Sequence, residues 1–314
     1  MTCLFSDAPI PDHLYGAIVA LGNFDGFHLG HQAVVAAAVA RGHAEGRPVI
    51  VATFDPHPVR FFCPDLPPFA LTTIPQRARL FEKAGADATF VIRFSEAMAN
   101  LSPEEFIQQQ IIDHLKAAGV VTGRDFTFGK GRKGGVDLLQ AMGQNLNISV
   151  DTIMPVCDQQ GAISSTRIRE ALKQGDPETA ARLLSRPFTV EGVVRHGNQV
   201  GRQLGFPTAN LLMGDYVRPA YGIYAVKGRL PDGRYLDGAA NLGIRPSFSP
   251  PTEWLEPCFF DWEGDIYDQT IAVSLIAFLR PEQKFKGMDA LIQQIGEDCK
   301  VARACLSEYV IDPI

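Results

Sequence analysis

Three stretches limit the fold more than anything else in the chain: AIVALG (17–22), PVIVATF (48–54) and ATFVIRF (88–94). Each is almost wholly apolar and reads as a buried strand rather than a half-exposed one. Helical stretches follow the first two: HQAVVAAAVARG, in which Gly42 is a natural C-terminal stop, and PQRARLFEKAG. SPEEFIQQQIIDHLKAAG comes next, with Ser102 as N-cap and Glu105 at the capping-box position, and then the apolar run GVVTG. Strand and helix in alternation predict an α/β domain, a parallel sheet with helices on both faces. Ligands of such sheets sit outside the carboxyl ends of the strands.

After TAARLLSRPF (179–188) the texture changes. From about Val190 to Phe278 the runs are short and β-rich: TVEGVV, GIYAVKGRL, CFFDWEGDIY and TIAVSLIAFL. Asp232-Gly233 is a strong hairpin signal. This pattern predicts a small antiparallel β-barrel or sandwich. A terminal helix starts near Gly287, its apolar stripe running through Met288, Leu291, Ile292, Ile295, Cys299, Ala302 and Leu306. The expected domains are therefore 1–185 and 186–314, which suits a length of 314 residues.

A net charge of −6 argues against a nucleic-acid partner but leaves room for local nucleotide pockets. The N-terminal MTCLFSDAPIPDH has no basic region followed by a long apolar stretch, and no run approaches the roughly 18 apolar residues of a membrane span. The six cysteines are scattered with no C-x-x-C pair, which reads as reduced thiols in a cytoplasmic protein.

GNFDGFHLGH (22–31) follows the first apolar run and opens a helix. One reading of His28 and His31 is two partly buried histidines at a helix start. The other is a phosphate site: helix N-terminal N–H groups and the dipole favour an anion, Gly30 allows close approach, and two imidazoles can donate hydrogen bonds. ISSTRIREAL (163–172) also has two readings, a capped helix with solvated arginines or a triphosphate clamp of hydroxyls, N–H groups and guanidinium. GKGRKGG has two glycines at P-loop spacing, but Gly135 stands where a P-loop has its lysine. GRQLGFPTANL (201–211) reads as a turn-rich connection, or as a glycine-lined approach for nucleotide phosphates in which Thr208 and Asn210 offer oxygen ligands to Mg²⁺.

LGNFDGFHLGH, TFDPHP, GRDFTFGKGRKGG and ISSTRIR together resemble the adenylyltransferase half of bacterial bifunctional riboflavin kinase/FAD synthetases, a Rossmann-like nucleotidyltransferase. GRQLGFPTANL, RPAYGIYAV, NLGIRPSF, LEPCFFDW, GDIY and FLRPEQKF resemble their riboflavin kinase half. The resemblance runs from about Ile18 to Ile295, with both motif sets in the family order. It implies that riboflavin, FMN and ATP are substrates and that Mg²⁺ assists. It makes His28 and His31 catalytic for FAD formation and Glu256 the catalytic carboxylate of the kinase. It implies ATP-binding roles for Gly22, Asn23, Phe24, Asp25, Gly30, Ser165, Thr166 and Arg169 in the first half. In the second half the same role falls to Gly201, Arg202, Gly205 and Pro207, with Thr208 and Asn210 on the metal. Phe54, His57, Pro58, Asp125 and Arg280 are implied flavin contacts.

Three departures stand out: Gly135, Ser185 where glycine is usual, and EPC in place of a stretch where valine and histidine are common. Pro257, beside Glu256, lacks a ladder N–H and suits only an edge or a bulge. A kinase with an inactive N-terminal domain would lack reason to keep both histidines and the S-S-T-x-I-R run. A nucleotidyltransferase for another substrate would not need the PTAN loop. A non-catalytic flavin-binding regulator would not need two nucleotide sites.

Overall fold

The computed structural model describes residues 2–196, 206–245 and 252–309. By packing, the chain divides into two units: Met1–Pro67 with Thr72–Ser164, and Pro68–Leu71 with Ser165–Ile314.

The first unit is built on a six-stranded sheet in the order Thr2–Phe5, Ala88–Arg93, Val49–Asp55, Ile18–Leu21, Gly119–Gly123, Ser149–Ile153, every pair parallel. Alternate residues of the central strands feed two separate cores. Val19, Leu21, Ile50 and Ala52 belong to one, and Ile18, Ala20, Val49 and Val51 to the other. Both faces are thus covered, which is why these strands are apolar at most positions, with threonine the buried polar residue among them. The predicted inner strands are all present. The two edge strands were not predicted, because TCLF and SVDTI have no fully buried residue and no apolar run longer than the three residues Cys3–Phe5.

Thr73 and Gln76 form a capping box on helix Ile74–Lys83, and Ser102 and Glu105 form the expected one on Pro103–Phe106. The latter runs on as the π-helical segment Ile107–His114. Gly42 is not a stop. Helix Leu29–Glu45 continues to Gly46, the left-handed C-cap at φ 61°. Gly42 lies inside the helix because a Cβ there would come within 2.3 Å of Val49 Cγ2. Close helix–strand approach, rather than termination, requires that glycine.

The second unit is a six-stranded antiparallel sheet ordered Phe188–Val193, Thr270–Pro281, Gly222–Arg229, Tyr235–Arg245, Thr252–Phe259, Leu211–Leu212. An antiparallel bridge between Arg195 and Asn210 joins its two ends, with the Arg195 N–H donating to the Asn210 carbonyl at 2.8 Å, so the sheet is a nearly closed barrel. The Asp232-Gly233 turn joins Gly222–Arg229 to Tyr235–Arg245 as expected, with Gly233 at φ 88°. Two helices, Ser165–Lys173 and Pro177–Leu184, precede the barrel in this unit.

A strap from far upstream also belongs to the second unit. Ala70 bridges Tyr216 in parallel, donating to the Asp215 carbonyl (2.9 Å) and accepting from Val217 (2.8 Å). The terminal helix, Met288–Ser307, lies on the outer barrel face, where Ala302 and Leu306 pack with Ala225, Ala239 and Ile276. Its predicted stripe divides. Ala302 and Leu306 are buried, Met288 and Ile292 are exposed, and Leu291, Ile295 and Cys299 line a cavity.

Candidate functional site

In the first unit the strand order reverses between Ile18–Leu21 and Gly119–Gly123, the switch point at which open α/β sheets bind ligands. The loop Gly22–His28 leaves the central strand there. It is tightly wound, with Phe24 (φ 50°), Gly26 (84°) and Phe27 (47°) all left-handed, a region bulky residues rarely enter. The loop delivers His28 as N-cap of helix Leu29–Glu45. Its Nδ1 accepts the N–H groups of Gly30 (3.1 Å) and His31 (3.3 Å). A neutral imidazole whose Nδ1 accepts carries its proton on Nε2, so Nε2 is the donor atom of this ring. His31 stacks on His28, centroids 3.6 Å and planes 20° apart, and meets Phe24 edge-on. Gly30 makes room for this, since a Cβ there would lie 3.0 Å from His28 Cε1. Two imidazoles and a helix N-terminus therefore share one spot, suited to an anion.

The other residues of this loop differ in what they can do. Asn23 Oδ1 is buried with no hydrogen-bond partner among the described residues. Asp25, 1% exposed, is engaged internally: its Oδ1 accepts from Arg77 Nη2 (3.1 Å), the Thr72 N–H (3.0 Å) and the Thr72 hydroxyl (3.2 Å). The neighbouring strands bring Phe54, His57, Pro58 and Asp125 to the same carboxyl edge of the sheet. His57 caps the short helix Pro58–Phe62, and Asp125 is exposed in the turn after Gly119–Gly123. Phe54 is buried between Phe94 and Phe106, and Phe61 and Phe62 extend the aromatic group through Phe94. Those last aromatics were missed, though VRFF beside TFDPHP was a visible signal. GKGRKGG forms the tip of a two-stranded hairpin, Thr127–Phe128 against Gly134–Gly135.

Ser165, Thr166 and Arg169 lie in the second packing unit, at the start of helix Ser165–Lys173. Ser165 is half-buried and Thr166 exposed. Arg169 donates from Nε to the Phe69 carbonyl (2.7 Å) and lies over the Phe69 ring, 5.1 Å from its centre.

The barrel unit carries a cavity of about 610 Å³ between the outer sheet face and the terminal helix. Its floor is the alternate positions Ala239, Asn241, Glu256 and Cys258, and Thr208, Arg280 and Phe285 border it. Glu256 is 9% exposed and pairs in register with Asn241. Pro257 is neither at a bulge nor at a break: it pairs in register with Ala240. Its carbonyl accepts from the Ala209 N–H at 2.9 Å, on the side away from Tyr235–Arg245. In an antiparallel strand the N and carbonyl of one residue face the same neighbour. The missing N–H therefore faces Ala209, just outside the two-residue strand Leu211–Leu212, and no bond to Tyr235–Arg245 is lost. Edge-like freedom exists on that side alone, and Glu256 keeps a regular place.

A second cavity of about 580 Å³ is bordered by Pro207, Thr208, Asn210, Trp262, Asp265 and Tyr267, so Thr208 borders both. Asn210 is 5% exposed and its Nδ2 donates to the Arg195 carbonyl (3.5 Å), leaving Oδ1 as the atom able to ligate. Trp262 and Tyr267 belong to the WEGDIY run, which reads as part of a short β-rich stretch and of the kinase resemblance, with no site role assigned to either residue. Gly201, Arg202 and Gly205 lie outside the described residues.

Arg280 and Asp298 clamp the terminal helix over the larger cavity. Arg280 donates from Nε to Asp298 Oδ1 (2.8 Å) and from Nη2 to Oδ2 (2.6 Å), and Gln294 adds a third bond to Oδ1 (3.0 Å). Asp298 was not anticipated, because a carboxylate beside an apolar stripe reads as solvated until its partner is known. Asp298→Ala leaves Arg280 without its carboxylate. Breaking such a buried pair costs about 3 kcal/mol, so the melting midpoint of this unit should fall, and an unchanged midpoint would show that the clamp contributes nothing. Burial, and then the neighbouring Cys299, pushes the Cys258 thiol up to about 11; burial raises Cys299 as well. The cavity wall they form is neutral at physiological pH.

Residues 10–167 match the family model described as FAD synthetase, and residues 184–306 match that described as riboflavin kinase. Proteins described as bifunctional riboflavin kinase/FMN adenylyltransferase are similar over nearly the whole chain. The one from Haemophilus influenzae is 36% identical over 93% of this chain and 94% of its own. The one from Bacillus subtilis is 37% identical over 90% of each. A Streptococcus pneumoniae crystal structure described as a macrolide-efflux protein superposes with a TM-score of 0.86 at 30% identity, covering 96% of this chain and 99% of its own. Among the described residues no helix is long and apolar enough to cross a membrane.

Proposed function

We propose how two reactions are divided within this chain, starting from the fact that it belongs to the bifunctional riboflavin kinase/FMN adenylyltransferase family. It is an enzyme of flavin-cofactor synthesis that phosphorylates riboflavin to FMN and then adenylylates FMN to FAD. As functional domains we propose 1–185 for adenylyl transfer and 186–314 for phosphorylation. The helices between 165 and 184 pack with the second unit while carrying a motif of the first reaction.

In the barrel, riboflavin occupies the larger cavity with its ribityl 5′-hydroxyl at Glu256. The carboxylate takes the hydroxyl proton as the oxygen attacks the γ-phosphorus of ATP, and ADP leaves. What carries this reading is the placement of Glu256 on the cavity floor beside Thr208, which also borders the second cavity. ATP fits that second cavity, at Pro207 and, by the resemblance, Gly201, Arg202 and Gly205. Thr208 and Asn210 supply the hard oxygen donors that suit Mg²⁺, which when bound neutralises phosphate charge. Arg280, locked by Asp298, fixes the flavin end.

In the α/β unit, a phosphate oxygen of FMN attacks the α-phosphorus of a second ATP and pyrophosphate leaves. The phosphate is already ionised at neutral pH, so no base is needed; positioning and charge stabilisation suffice. His28 Nε2–H and His31 stabilise the charge at the helix N-terminus, and Gly30 keeps the approach open. Gly22, Asn23 and Phe24 shape the ATP side, and Asp25 acts through the loop's shape. Phe54, His57, Pro58 and Asp125 serve the flavin end, and the phosphate-holding role of Ser165, Thr166 and Arg169, which pack with the second unit, comes from the resemblance alone.

Incubation with riboflavin and Mg-ATP, followed by chromatography, should show FMN and then FAD. Accumulation of FMN alone, with supplied FMN also inert across ATP and Mg²⁺ concentrations, would sink the two-reaction reading.

A further inference from the structure

We infer that Arg77 is a positioning residue for adenylyl transfer: with Asp25 it holds the Gly22–His28 loop in the shape that aims the two histidines. The inference rests on the reading of that loop given above and extends it to a residue that touches no substrate.

Arg77 is 5% exposed, on helix Ile74–Lys83, whose start is fixed by the Thr73–Gln76 capping box. Each guanidinium nitrogen has an acceptor. Nε donates to the Thr72 hydroxyl (3.1 Å), Nη1 to the Asn23 carbonyl (3.3 Å) and the Thr53 hydroxyl (3.5 Å), and Nη2 to Asp25 Oδ1 (3.1 Å) and the Thr72 carbonyl (3.2 Å). The Thr72 hydroxyl in turn accepts the Gly26 N–H at 2.9 Å. The loop is thus held at Asn23, Asp25 and Gly26, directly or through Thr72.

This is where holding is needed. Phe24 and Phe27 sit at positive φ, a conformation that persists only when the surroundings impose it. The same helix that carries Arg77 also carries Phe81, against which both rings pack edge-on, with centres 5.7 and 5.1 Å away. One rigid helix therefore grips the loop by a polar fork and an apolar knob. His28 is the next residue, and its ring direction is set by where the loop ends. A planar fork with five donors can reach this acceptor set; the point charge of lysine cannot.

The test uses the full chain, because its kinase reaction is an internal control that Arg77 does not touch. Arg77→Met, Arg77→Lys and Asp25→Asn are assayed for FAD formation from FMN and for riboflavin phosphorylation, beside His28→Ala. Misplacing a catalytic group by about 1 Å can cost on the order of 10²-fold. FAD formation in Arg77→Met should therefore fall about 10²-fold in kcat, with the KM for FMN within about threefold and the kinase rate unchanged. Arg77→Lys and Asp25→Asn should fall less, in the same parameter. Wild-type kcat in folded Arg77→Met overturns the inference, and so does a loss confined to KM or shared equally by the kinase. If Arg77→Met fails to fold, Arg77→Lys decides: a native melting curve with wild-type kcat overturns it. Full activity in His28→Ala would instead defeat the histidine reading, whatever the Arg77 variants do.

Discussion

Replacing His28 and His31 together with alanine should lower FAD formation from FMN by at least 10²–10³-fold, roughly the loss of one preorganised donor, while riboflavin phosphorylation continues. His28 Nδ1 is committed to the backbone N–H groups of Gly30 and His31, which leaves Nε2–H as the donor toward a phosphate. His31 is stacked face to face on that ring, so both imidazoles act at one place. Alanine at 28 also deletes a helix cap, worth about 1 kcal/mol. His28→Asn separates the two effects, since asparagine restores a cap oxygen but not the Nε2–H. It should melt like the wild type and remain slow. A folded double-alanine variant that makes FAD at the wild-type rate would remove the phosphate reading of this loop.

Glu256→Gln should reduce FMN formation by about 10²–10⁴-fold, the usual worth of a general base acting on a poorly acidic hydroxyl. The amide keeps the side chain's size and place on the cavity floor and cannot take the proton. FAD formation from supplied FMN should stay near wild type, because an ionised phosphate needs no base. Asp261, on the same stretch of sequence, is a poor substitute: it is exposed and paired twice to Arg303, which holds its carboxyl below the usual range. Retained kinase activity in Glu256→Gln would mean that another group is the base. If both activities fall together, a melting curve distinguishes an unfolded barrel from a failure of the two-reaction scheme.

What could be read from the residues was whatever depends on local pattern. Strands buried on both faces announce themselves by being apolar on both alternating sets of positions, and Ser102 with Glu105 marks a helix start by spacing alone. Roles that depend on a distant partner were not legible. Asp25, in a glycine-bounded loop beside two histidines, looks like a ligand-binding carboxylate; its engagement with Arg77 joins segments with no sequence relation. Asp298 is hidden in the same way, since Arg280 could be tied to the site by motif but its clamp could not. Gly42 and Pro257 show the complementary limit. Each has a well-founded local meaning, stop or ladder-breaker, and each takes another because of the neighbour it meets: Val49 in one case, Ala209, whose N–H the Pro257 carbonyl accepts, in the other.

The strap at Pro68–Leu71 bears on how such a chain can be recombined. Its backbone is stitched to Asp215 and Val217, although the residues on either side of it belong to the first packing unit. The two halves are therefore not interchangeable cassettes. Exchanging residues 186–314 for the barrel of a relative would leave Ala70 facing a foreign edge, and the graft would have to match a four-residue piece of the preceding half as well as its own sequence.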